Sequence, residues 1–158
     1  MILYHGTYVD FDVIDLAMSS RGKDFGKGFY LSDSYEQAYE MAVFKAVQFG
    51  TNPIVQTYDF DESLLGDGSL NYLGFDDYNL EWAEFILNNR SNGSNRNIHK
   101  YDVIYGPIAD DRVGVQIRNL MEQNIDMDVF LKRLRYMRGI TFQYFFGTDR
   151  AISKLIRV

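Results

Sequence analysis

Three short apolar runs of this chain each carry one residue able to hydrogen-bond a ligand: His5 in LYHGT, Tyr30 in GFYLS and Gln143 in TFQYFF. In a strand, neighbours point to opposite faces. Tyr4 is then turned away from His5, Phe29 and Leu31 from Tyr30, and Phe142 and Tyr144 from Gln143. The bulky set can face a core while the polar set faces a cleft. Gly6 and Gly28 carry no side chain, which leaves backbone amides open to a flat ligand. The plainer alternative is that each polar residue is satisfied within its own strand, because spacing alone does not bring three distant strands together.

Other chemistry is missing from the pattern. The chain has no cysteine, which removes disulfides, thiol catalysis and zinc–cysteine sites and fits a reducing compartment. Neither His5 nor His99 has a histidine or cysteine companion at helical spacing, so no metal site is expected. There is no G-x-S-x-G elbow. GKGF lacks the Ser or Thr and the spacing of a phosphate-binding loop, and Gly22, Gly26 and Gly28 do not make a dinucleotide fingerprint. Asp110 and Asp111 are adjacent, point opposite ways in an extended segment, and read as a turn after Gly106-Pro107.

The elements that must position these residues are legible in outline. The 158 residues suit a single domain spanning 1–158, and 46% apolar content supports a packed core. Strands are predicted at 2–6, 28–32, 53–61, 101–107 and 141–148. A helix is predicted over 34–50, with Ser34 as its cap and Gly50 as its stop. Further helices are expected at 79–90, near 112–123 and at 126–138, then a short helix and a closing strand. RSNGSNRN at 90–97 is the most loop-like segment. Strands and helices mix without a βαβ rhythm, so the fold class is α+β.

Acidic residues outnumber basic ones 22 to 16, which argues against general nucleic-acid binding. Lys132, Arg133, Arg135 and Arg138 cluster in LKRLRYMR, read as a solvated helix face or as a docking patch for an acidic partner. No leader-like segment and no run near the ~20 apolar residues of a membrane span is visible, so a cytoplasmic protein without membrane contact is expected.

LYHGT followed by FGKGFYLSDSYEQAYEMA resembles the ADP-ribosyltransferase superfamily of the diphtheria-toxin and poly-ADP-ribose-polymerase type. There, a strand ending in His-Gly-Ser/Thr precedes a Gly-x-Gly-x-Tyr strand and a helix bearing alanine and tyrosine. More narrowly, the whole chain resembles an uncharacterised bacterial family grouped with these enzymes, with a His-Tyr-Gln triad. The resemblance implies a split β-sandwich holding NAD in its cleft, with no metal. It implies that His5 bonds the adenosine-side ribose, Gly6 binds the carboxamide through its backbone, and Tyr30 lies against the nicotinamide ring. Thr7, Gly28 and Ser32 would line the same site. Tyr39, with Tyr35 as the other candidate, would complete the aromatic stack. Arg21 and Lys23, in the segment between the motifs, are candidates for the pyrophosphate.

The implied activity is mono-ADP-ribosyl transfer to an unknown protein or nucleic-acid acceptor, with His5, Tyr30 and Gln143 as catalytic residues. Gln143 stands where such enzymes usually have Glu. A neutral amide bond is worth about 0.5–1.5 kcal/mol, against about 1.5–3 with a charged partner. The resemblance therefore implies slow mono-transfer rather than polymer formation, or NAD binding or protein interaction without turnover. Asp110 or Asp111 is a candidate to supply the missing charge, and Gln143→Glu is expected to raise NAD hydrolysis.

Overall fold

A computed structural model describes residues 1–137 and 139–158. Arg138 of the basic cluster lies outside the described residues. The chain is a mixed α and β structure with two sheets and five α-helices among the described residues. Strands β1 (Ile2–Thr7), β3 (Ile54–Phe60) and β7 (Leu155–Arg157) form an antiparallel sheet in the order β1-β3-β7. The second sheet runs β2-β6-β5-β4, from β2 (Phe29–Leu31), β6 (Phe142–Phe146), β5 (Val103–Pro107) and β4 (Tyr72–Gly74). Its β4–β5 pair is parallel and the rest antiparallel. The sheets meet where Tyr4 and Ser32 exchange backbone hydrogen bonds of 2.7 and 2.8 Å.

Alternation separates two cores. Leu3, Phe29, Leu31, Tyr58, Phe60, Val103 and Phe146 draw on both sheets and pack together between them. Ile104 and Phe145 face the other way, into a second cluster closed by helices α2 (Leu80–Arg90), α3 (Asp111–Met121) and α4 (Met127–Arg135). Trp82 of α2 is fully buried there and donates its indole N–H to the Pro107 carbonyl at 3.2 Å. Asp110 and Asp126 cap α3 and α4. α4 buries Phe130 and Leu134 and leaves Lys132, Arg133 and Arg135 as an exposed basic face, as expected.

Helix α1 (Tyr35–Phe49) begins at Ser34, whose hydroxyl accepts from the Gln37 N–H, and ends at Gly50 with φ 64°. It buries Ala38, Ala42 and Ala46 and lies directly on β1. Two structural details escaped the sequence pattern. The first is β4, whose three residues are too few to show a period. The second is a pair of 3-10 turns at Leu16–Met18 and Glu62–Leu65, capped by Asp15 and Asp61. A four-residue helix α5 (Asp149–Ile152) precedes β7 as predicted. No helix among the described residues is long and apolar enough to cross a membrane.

Candidate functional site

A cleft of about 920 Å³ opens where β1 and β2 diverge beyond the Tyr4–Ser32 bridge. That volume falls at the upper end of the range of about 300–1,000 Å³ typical of small-molecule sites. His5, Tyr30 and Gln143 all line it. The His5 ring nitrogen Nδ1 lies 2.7 Å from the Tyr30 carbonyl, which ties the two strands together. A carbonyl only accepts, so Nδ1 carries the proton and Nε2 keeps a lone pair. The ring stacks on Phe29, with centroids 4.3 Å apart, and meets Phe11 edge-on. Burial first, and the Lys45 ammonium second, lower its pKa from 6.5 to about 4. His5 is therefore neutral at physiological pH and presents an acceptor.

Tyr30 sits opposite Phe145 in the β2–β6 ladder, and Gln143 lies two residues along β6 on the same face. The Tyr30 hydroxyl donates to the Gly26 carbonyl at 2.7 Å and accepts from the Phe25 N–H at 3.1 Å. Burial, with the Asp24 charge behind it, raises its pKa well above the ordinary value, so the phenol stays protonated. Its hydroxyl is thus committed to the Gly26–Phe25 turn, and the ring is what remains for a ligand. The Lys23 ammonium lies 5.3 Å from the centroid of that ring.

The glycines act differently from the sequence expectation. A Cβ on Gly6 would fall 2.0 Å from the Ala38 carbonyl oxygen, and one on Gly28 would fall 2.2 Å from the Phe145 ring. Their empty space is filled by helix α1 and by Phe145, not left for a ligand. The Gly6 backbone still faces the cleft. Tyr4 directs its N–H and C=O to Ser32, so strand alternation sends those of Gly6 to the same edge, past the point where β2 ends its pairing. The Gly6 carbonyl there accepts from Lys45 Nζ at 2.6 Å.

Thr7 and Ser32 also line the cleft, both buried, and their hydroxyls accept from the Val9 and Ser34 N–H groups. Tyr39 does not line it. It is 45% exposed and stacks on Tyr35 with centroids 6.3 Å apart, outside the cleft wall. The helical register is the reason: α1 turns Gln37, Met41 and Lys45 to the cleft, at spacings of four residues. Arg21 turns out to the Gly93 carbonyl, whereas Lys23 enters the cleft. Asp110 pairs with Arg112 at the start of α3, and Asp110 and Asp111 line a separate groove of about 300 Å³.

Four charged residues at the cleft, Asp15, Asp24, Lys45 and Arg90, were not singled out in the sequence. Lys45 is held by burial, and secondarily by Lys23, at a pKa of about 8. Its signal was its position one turn beyond Met41 on a helix whose buried stripe is alanine. Asp24 is buried and takes both Arg90 Nε, at 2.7 Å, and Nη2, at 2.6 Å, on Oδ1. Its Oδ2 accepts from the Ala109 N–H at 3.2 Å and from Gln143 Nε2 at 3.3 Å. No local pattern links residues 24, 90 and 143. The charged lining of the cleft comprises Lys23, Lys45 and Arg90 against Asp15 and Asp24, a positive balance in a chain of formal charge −6. Such a site attracts an anionic ligand. Among the described residues no group of three or more His, Asp or Glu side chains gathers as a metal site.

No curated protein and no solved structure matches the chain. A family model described as "Protein of unknown function (DUF3990)" matches residues 1–156, and the chain belongs to that family.

Proposed function

We propose that the cleft binds NAD and that the protein is a mono-ADP-ribosyltransferase, built as a split β-sandwich of the ADP-ribosyltransferase type. The observation that carries this reading is the convergence of His5, Tyr30 and Gln143 on one cleft beside the Gly6 edge. A neutral His5 with a free Nε2 lone pair suits a ribose hydroxyl donor. Lys23 and Lys45 suit the pyrophosphate, by charge and without a metal. The Gly6 edge suits a carboxamide, and the Tyr30 ring, which already attracts the Lys23 cation, suits a flat cationic ring.

The chemistry asked of such a site is modest. The glycosidic C–N bond breaks with its electron pair passing to nicotinamide, which leaves neutral. The ribose becomes oxocarbenium-like, as in glycoside hydrolysis. A nucleophile of the acceptor then bonds to the anomeric carbon and releases its proton. The protein's part is to hold the ring and ribose and to accept from a ribose hydroxyl as positive charge develops. A second reading, NAD binding without turnover, draws on one observation: the carboxylate nearest Gln143 is already paired with Arg90.

Calorimetric titration with NAD⁺, alongside nicotinamide release, tests the proposal. Saturable binding that His5→Asn weakens, with release above the uncatalysed rate, is the expected result. Saturable binding without release would favour the second reading. Absence of binding to folded protein would overturn both.

A further inference from the structure

Resting on that reading, we propose that Asp24 is a positioning residue, fixed by Arg90, that orients Gln143 so that its Oε1 is the acceptor presented to the ligand. The geometry carries the assignment. Asp24 is 9% exposed, and Arg90 donates to its Oδ1 from two nitrogens. The second oxygen, held also by the Ala109 N–H, faces the Gln143 amide nitrogen at 3.3 Å. A carboxylate only accepts, so it selects the amide rotamer that gives it Nε2. Oε1 is then turned the other way, and both residues line the cleft. The negative charge thus stands one residue behind the contact atom, acting through the amide.

This arrangement reverses the expectation that Gln143→Glu simply improves the site. In the native background, the new carboxylate would stand against Asp24 at hydrogen-bond distance with no proton between them. Like charges so placed repel and force a proton uptake or a displacement. When D24N accompanies Q143E, the introduced amide nitrogen can donate to the introduced carboxylate while the amide oxygen keeps Arg90. The Ala109 N–H loses its acceptor in both D24N and D24N/Q143E, so that loss cancels when the two are compared with each other. The effect of Gln143→Glu should therefore change sign with the residue at position 24, which a merely structural role for Asp24 does not produce.

The test measures NAD⁺-dependent thermal shift and nicotinamide release for wild type, D24N, Q143E and D24N/Q143E, with ligand-free melting as the check on folding. Q143E is expected to lose about tenfold or more in release against wild type, and D24N/Q143E to exceed D24N by about tenfold. Should Q143E alone fail to fold, the comparison of D24N with D24N/Q143E still decides. A change of the same sign in both backgrounds, or no gain of the double over D24N, overturns the inference and leaves NAD binding by the wild type standing. Absence of any NAD⁺ shift in the wild type overturns the reading of the cleft, and this inference with it.

Discussion

His5→Asn offers a test of the site that needs no ligand. Asn can keep the donor to the Tyr30 carbonyl but does not titrate. The His5 pKa falls from 6.5 to about 4 in the folded protein, chiefly through burial and then through Lys45. Between those values the unfolded chain binds the proton and the folded chain does not, so folding loses stability as pH falls. The contribution is fully present above about 6.5 and fully lost below about 4. Worked through the linkage relation, a drop from about pH 8 to about pH 5 costs about 2 kcal/mol through His5 alone. For a chain of this size that is a melting-point loss of about 4–8 °C. The assay is thermal unfolding of wild type and His5→Asn at both pH values. Other groups titrate in both proteins, so the difference between the two pH dependences isolates His5. Wild type should lose about 4–8 °C more than the variant over that range. Equal losses would mean that burial does not lower the His5 pKa on folding, and the neutral acceptor would then be lost as pH falls through about 6.5 rather than about 4.

Two other outcomes follow from the same geometry. Gly6→Ala should lower the denaturant midpoint by the equivalent of about 3 kcal/mol or more, since its Cβ meets main chain of α1 at 2.0 Å, which no rotamer change relieves; a midpoint like that of the wild type would show that α1 does not lie against β1 as described. Lys45 loses its proton near pH 8, so NAD⁺ affinity should fall as pH rises through that value. Lys45→Met should cost roughly 10- to 100-fold in affinity at neutral pH and flatten that dependence, and titration calorimetry across the range reads both.

Local signals fixed most of the fold's elements because each has a local cause. Ser34 and Gly50 bracket α1, and the alternations in GFYLS and TFQYFF mark β2 and β6. The lining of the cleft was legible where a residue's own strand declares it, as with His5, Tyr30 and Gln143. It was not legible where tertiary packing decides. Gly6 and Gly28 signalled close approach, but only the folded chain shows that α1 and Phe145 take the space. Tyr39 looked suitable by type, yet the helical register gives the cleft Met41 instead. The carboxylate that meets Gln143 is Asp24, across 119 residues of sequence, and not Asp110 or Asp111, which line a separate groove. No periodicity encodes a contact of that range.

On the proposed function, the cleft breaks the nicotinamide–ribose bond of NAD and passes on the ADP-ribose. The direct measurement uses NAD⁺ labelled separately on its nicotinamide and adenine halves, incubated with the protein and a cell lysate as the source of acceptor. The expected result is that the nicotinamide label appears free while the adenine label becomes bound to macromolecules, both dependent on the protein. Both labels remaining together in intact NAD⁺, with the protein folded throughout, would contradict it.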